Sequence, residues 1–231
     1  MKTTKKINTG DLELTAKNIS KGEIRKKINF LLKDKITLDD EELIFMRRKI
    51  IPDKGIGKDI YIFAYGSLLW NPTFEYEEQF PAIIYGFHRK FCMKTNLGRG
   101  SFENPGLMLG LDKGGSCKGI VYKLKKNNQI KEIDLLYKRE MVTGTYIPRL
   151  LKTKMNNDKT VTSLTFTVDQ KHENYVSNLS IHQTAKLISK AHGFLGSCEE
   201  YLNYTVSSLT ELNIIDKRMN DIYNLIKHKK I

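Results

Sequence analysis

Cysteine is scarce in this chain: three occur among 231 residues, Cys92, Cys117 and Cys198. They are odd in number, far apart and in no CxxC pattern, which argues against a disulfide framework or a thiolate metal site. Reduced, mostly buried thiols are expected. The five histidines show no HExxH or other ligand spacing, so no metal is expected either. Long apolar runs are missing too, and no stretch approaches the roughly 20 residues of a membrane span. The N-terminus, MKTTKKINTGDLELT, is basic but lacks the apolar core and small-residue cleavage site of a targeting segment. An unprocessed cytoplasmic protein with no membrane partner is the expectation. Acidic residues fall short as well, 26 against 39 Lys plus Arg, for a formal charge of +13. Such a field favours anionic partners. Yet the lysines are scattered, and RNP-like aromatics, zinc fingers and a GXXG signature are all missing. A solvated lysine-rich surface is therefore preferred over nucleic-acid binding.

What is present is ordinary for a folded soluble chain: 40% hydrophobic and 28% charged residues, enough for one well-buried domain with a small appendage. Residues 1–58 are highly charged and poor in aromatics, and read as a helical N-terminal extension. Ser20 with Glu23 has the pattern of a capping box before Ile24, Ile28, Leu31 and Leu32, predicting a helix near 21–33. A second helix is suggested by Thr37 and Asp40, with acidic residues 39–42 at its start and basic residues 47–49 at its end. Residues 51–59, IPDKGIGKD, read as a linker. From residue 59 onward the pattern is that of a second unit, 59–231. Strands are expected at 60–65, 82–94, 106–111 and 118–124, a helix at 129–140 begun by Asn127 or Asn128, and a hairpin of 145–155 with 160–168. Helices close the chain, one opened by Ser197 and Glu200, the last carrying Met219, Ile222, Tyr223 and Ile226 on one face. Central strands with helices at both ends indicate an α+β fold.

Two features carry possible chemistry. Residues 62–70, IFAYGSLLW, are a buried-type strand that breaks into Tyr65-Gly66-Ser67, presenting backbone N–H groups and a hydroxyl where ligands commonly sit. The plain alternative is a turn, since Gly tolerates positive φ and Ser favours turns. The second feature is Glu140. On a 3.6-residue wheel it falls in the apolar stripe of the 129–140 helix, three residues beyond Tyr137, four beyond Leu136 and seven beyond Ile133. A carboxylate facing inward has its pKa raised toward the range of a general base at neutral pH. Alternatively it pairs with Arg139 or Arg149, or reaches solvent where the helix ends.

Five motifs bring these features together: IFAYGSLLWNP, GFHRKFCMKTNLGRG, NPGLMLGL, KREMVTGTYIPR and GSCEEYL. In order and rough spacing they resemble the ChaC-type glutathione-specific γ-glutamylcyclotransferases, over about residues 60–226. The resemblance implies a γ-glutamylcyclotransferase-like fold with a small mixed β-barrel among helices. It implies a lyase that cyclises the γ-glutamyl part of glutathione to 5-oxoproline and releases cysteinylglycine, with no cofactor. It also implies that Tyr65, Gly66, Ser67 and Leu68 bind the γ-glutamyl group and that Glu140 is the catalytic acid/base; Ile62, Phe63 and Ala64, which lead into that loop, are counted with it as substrate-binding. Ala64 stands where the family usually has glycine, and residues 1–58 have no counterpart in its shortest members.

The implied reaction needs little from the enzyme beyond positioning and proton transfer, because nucleophile and electrophile share one molecule. Ser67 as a covalent nucleophile is the weaker idea, because GxSxG is absent and no His/Asp pair is placed by motif. Arg89, Arg99, Tyr146 and Tyr201 are further candidates for holding the substrate. Against this, Arg89 lies in a strand pattern, where alternate residues face water, and a buried tyrosine is commonly a hydrogen-bonded core residue. Two alternatives to glutathione cleavage stay open. One is cyclotransfer from other γ-glutamyl amino acids or amines; the other is a non-catalytic basic module binding RNA or ribosomes. A monomer is favoured.

Overall fold

The computed structural model describes residues 12–33, 37–54 and 59–230. The far N-terminus, residues 34–36 and most of the glycine-containing part of the expected linker lie outside the described residues. Three N-terminal helices come first: α1 (Ala16–Ser20), α2 (Glu23–Leu32) and α3 (Asp40–Arg48). The barrel strands are β1 (Tyr61–Ala64), β2 (Tyr76–Thr95), β3 (Gly106–Leu124), β4 (Tyr146–Met155) and β5 (Thr160–Val168), with α4 (Gln129–Glu140) between β3 and β4. The chain ends in α5 (Ile181–Lys190), the short pair β6 (His192–Gly193) and β7 (Gly196–Ser197), α6 (Cys198–Glu211) and α7 (Lys217–Lys227).

The barrel closes in the order β1-β3-β2-β4-β5, and β5 returns to pair parallel with β1. β1 therefore has neighbours on both sides, and all four of its residues are buried, as expected of a continuous apolar strand. Its side chains alternate. Tyr61, Phe63 and Tyr65 pack into the cluster shared with the C-terminal helices, whereas Ile62 and Ala64 face the cluster under α3 and α4. This alternation divides the two functions of the IFAY segment.

Several local expectations are corrected. Ser20 does not cap α2: its hydroxyl donates to the Lys17 carbonyl within α1, and Gly22, in the left-handed region at φ 69°, precedes α2. The capping box of α3 is formed by Asp39 and Glu42, while the Thr37 hydroxyl donates to Asn29. Asn128 precedes α4 without a side-chain cap. The strands expected at 106–111 and 118–124 are one strand, paired with β2 along its whole length. The DKGG break is absorbed as a bulge, with Gly114 and Gly115 at φ 95° and 68° opposite Gly86 at 85°. Helix α5 was not anticipated, although Ser180 and Gln183 form its capping box.

The N-terminal helices dock by their apolar faces. Leu43 of α3 enters the cluster with Leu136 and Tyr137 of α4. Arg47 is buried with it and donates from Nε to Asp134 at 2.8 Å and from Nη1 to the Ile51 carbonyl at 3.0 Å. Ile19, Ile24 and Ile28 pack with Val142 and Phe194. The three cysteines are buried and unpaired.

Candidate active site

A cavity of about 930 Å³ opens at one end of the barrel. Its lining includes Phe63, Tyr65, Gly66, Ser67 and Leu68 from the first strand and loop, Met93 and Leu109 from β2 and β3, Glu140 from α4, Tyr146 from β4 and Tyr201 from α6. The loop and the carboxylate singled out in the sequence thus face one space.

Beyond β1 the chain makes a short 3-10 turn over Ser67–Leu69. The opening turn of such a helix has no intrahelical acceptor for its N–H groups. Among the described residues, no acceptor engages the amides of Gly66, Ser67 or Leu68, so they remain available to an anion or a developing oxyanion. Gly66 is not in the left-handed region, its φ being −134°. Space explains the glycine: a Cβ there would stand 3.1 Å from the Tyr201 hydroxyl.

Glu140 is the last residue of α4, where the helix carbonyls concentrate partial negative charge. Burial raises its pKa above the ordinary carboxylate value, and the guanidinium of Arg139 draws it back only in part. Arg139 Nε lies 2.9 Å from Glu140 Oε1. The same guanidinium donates from Nη2 to the Ser67 hydroxyl at 2.9 Å and from Nη1 to the Asn71 carbonyl and to Thr73. Arg139 therefore ties the carboxylate to the loop. An arginine cannot accept a proton, so this contact does not activate Ser67 as a nucleophile.

The phenols surround the carboxylate as fixed polar groups. Tyr65 donates to the Phe166 carbonyl and Tyr146 to the Leu109 carbonyl, each at 2.9 Å. Burial raises the pKa of Tyr65, Tyr146 and Tyr201, so all three stay protonated. A hydroxyl that donates to the protein still offers lone pairs to a ligand, so core and binding roles coexist here.

The other candidates separate. Ile62 and Ala64 point away, into the α3 and α4 cluster. Arg89 is also outside the cavity lining. Its guanidinium is occupied by Asp216 at 2.7 Å, the Lys118 carbonyl at 2.6 Å and the Tyr65 carbonyl, so it braces the loop from behind. The expectation of Arg89 as a carboxylate ligand is corrected accordingly. Arg99 does reach the cavity, 5.8 Å from the ring centroids of both Trp70 and Tyr201, with one donor on the Ser197 carbonyl. Sequence reasoning missed the bridging role of Arg139, which it weighed only as an ion-pair partner. The Arg-Glu dipeptide beside an inward glutamate was the available signal.

The family model described as ChaC-like protein matches residues 60–229. The glutathione-specific γ-glutamylcyclotransferase of Escherichia coli is 37% identical over 180 residues, covering 78% of this chain and 76% of that one. Human glutathione-specific γ-glutamylcyclotransferase 1 is 28% identical, covering 64% of this chain and 68% of its own. Among solved structures, a yeast γ-glutamylcyclotransferase specific to glutathione superposes with a TM-score of 0.68 at 20% identity, covering 74% of this chain and 97% of that one; at that identity it speaks for the fold. With a family model matched over most of its length and a relative this similar, the chain belongs to the ChaC-like family.

Proposed function

We propose that this protein is a γ-glutamylcyclotransferase that cleaves glutathione. The free α-amine of the γ-glutamyl group attacks its own γ-carbonyl carbon, the γ-amide C–N bond breaks, and 5-oxoproline and cysteinylglycine leave. The observation that carries the reading is that Glu140 and the Gly66–Leu68 loop line one cavity. The names of the E. coli and human relatives support glutathione as the substrate.

In this mechanism Glu140 accepts a proton from the attacking ammonium and returns it to the departing amide nitrogen. A raised pKa suits both halves of that task, because the group is neither too weak a base nor too weak an acid near neutral pH. The amides of Gly66, Ser67 and Leu68 stabilise the oxyanion on the γ-carbonyl or clamp the substrate carboxylate. Arg139 positions Glu140 and the Ser67 hydroxyl. Tyr65, Tyr146 and Tyr201 accept hydrogen bonds from the substrate ammonium, and Arg99 supplies positive charge at the cavity wall. The step needs no cofactor or metal. Residues 59–231 form the catalytic unit, preceded by an N-terminal extension that contributes α1, α2 and α3, and the protein works as a cytoplasmic monomer. No helix among the described residues is long and apolar enough to cross a membrane.

Incubation with glutathione, followed by product analysis, tests the reading. Equimolar 5-oxoproline and cysteinylglycine are expected; release of free glutamate, or no turnover, contradicts it. Equal-concentration competition with γ-glutamyl amino acids and γ-glutamylamines ranks the alternatives by kcat/KM.

A further inference from the structure

The family match begins at residue 60, yet the cavity wall does not. Leu12, Leu14 and Ala16, with Ile24 and Ile28 of α2, line the same cavity as Glu140. This N-terminal unit is fastened at two places. Its isoleucines pack on Val142, two residues beyond Glu140, and on Phe194. Its backbone is held by Asn71, whose side-chain amide donates to the Leu14 carbonyl at 2.9 Å. Asn71 also accepts Arg139 on its own carbonyl. One short path therefore runs from the N-terminal segment through Asn71 and Arg139 to Glu140.

We propose that residues 12–32 form the wall met by the leaving-group portion of the substrate, and that Leu14 and Ala16 set the size it accepts. The inference rests on the cyclotransferase reading. Chemistry fixes the γ-carbonyl between Glu140 and the 66–68 amides, with Tyr65, Tyr146 and Tyr201 around it. Whatever is attached through the γ-amide nitrogen must extend away from that base, toward the mouth. Ligand pockets run to about 300–1,000 Å³, so this cavity is near the upper end, with room well beyond a γ-glutamyl group. The N-terminal wall is mostly apolar, which suits a thiol or alkyl side chain, whereas Lys94 and Arg99 lie on the β2–β3 side. The N-terminal extension thus completes a site whose reacting parts belong to the family-matched region.

The test uses substrates with the same γ-glutamyl group and different leaving groups: γ-glutamylalanine, glutathione and S-hexylglutathione. Ala16 is exposed at the start of α1, so Ala16→Trp narrows the mouth without disturbing the core. It should lower kcat/KM for glutathione about tenfold, the range that a crowded pocket produces, and leave γ-glutamylalanine within about threefold. Leu14→Ala, which widens the wall, should improve S-hexylglutathione relative to glutathione by a similar factor. Equal losses on all three substrates, or unchanged ratios with full activity, overturn the proposal. If the wild-type protein forms no 5-oxoproline from any of them, the cyclotransferase reading itself fails, and that outcome is distinct from unchanged ratios.

Discussion

Arg139 and Glu140 are neighbours in sequence and an ion pair in space, with Nε 2.9 Å from Oε1. The Arg139 side chain is buried and that of Glu140 is 17% exposed, and two side chains that follow one another at the end of a helix cannot share one face. Here Arg139 is directed to the 67–73 loop and Glu140 to the cavity, and the bond between them joins the two.

The pair predicts a pH effect with a definite sign. Burial raises the Glu140 pKa and the Arg139 charge lowers it, so removing that charge pushes it higher. The base form is then depleted at neutral pH. Arg139→Gln should move the acid limb of the kcat/KM profile to higher pH, with activity partly recovered in alkaline buffer, and Arg139→Lys, which keeps the charge, should leave the limb near its wild-type position. A pH–rate series on the three proteins checks this; a profile merely scaled down, with an unmoved limb, would count against a positioning role.

Gly66 gives a steric prediction. Its substitution by alanine puts a methyl group 3.1 Å from the Tyr201 hydroxyl, closer than ordinary contact, in a well-packed site where small overpacking is felt. Gly66→Ala should lower kcat/KM about tenfold or more. Adding Tyr201→Phe removes the clashing oxygen and should recover part of the loss, so that the double variant is better than the sum of its parts. Kinetics on the four members of the cycle decide; simple additivity contradicts the contact.

Arg47 tests the docking of α3. Its side chain is 2% exposed and its partners include Asp134 and the Ile51 carbonyl. Breaking such a buried pair costs about 3–5 kcal/mol, here by stranding Asp134 and opening a void beside Leu43. Arg47→Ala should lower Tm by about 6–20 °C, from roughly 2–4 °C per kcal/mol at this chain length. Because α3 contributes nothing to the cavity lining, kcat below the transition should be unchanged. Calorimetry and a parallel rate measurement check the two halves.

The thiols should be inert. All three are buried, and burial pushes Cys92 up to about 12 and Cys198 up to about 11, with Cys117 also raised. Thiolate is the reactive form, so titration of native protein with a thiol-specific chromogen should give near zero equivalents, and three after denaturation.

The sequence made the ends of the argument legible and left its joints hidden. Glu140 was readable because a 3.6-residue period places it among Ile133, Leu136 and Tyr137, and the 66–68 loop because an apolar strand stops at a glycine. The long β3 was split in two because a Gly-Gly pair looks the same in a bulge as in a turn, and only the partner strand tells them apart. Ser20 and Glu23 had the spacing of a capping box, but α1 ends at Ser20 and takes its hydroxyl. Arg89 and Arg99 had equal claims by chemistry. Which one enters the cavity depends on Asp216, 127 positions away from Arg89, a pairing no local pattern encodes. The same holds for residues 12–16, whose place in the cavity wall comes from packing against Val142 and Phe194.

The central claim is that Glu140 moves the proton while the loop holds the γ-glutamyl group. Glu140→Gln keeps the shape and removes the base, so the most direct measurement is 5-oxoproline formation from glutathione by this variant, alongside its affinity for glutathione by calorimetry. Turnover should fall by a factor of about 10²–10⁴, the usual contribution of a positioned acid/base, with Kd within about threefold of the wild-type value. Wild-type turnover in the variant would contradict the account.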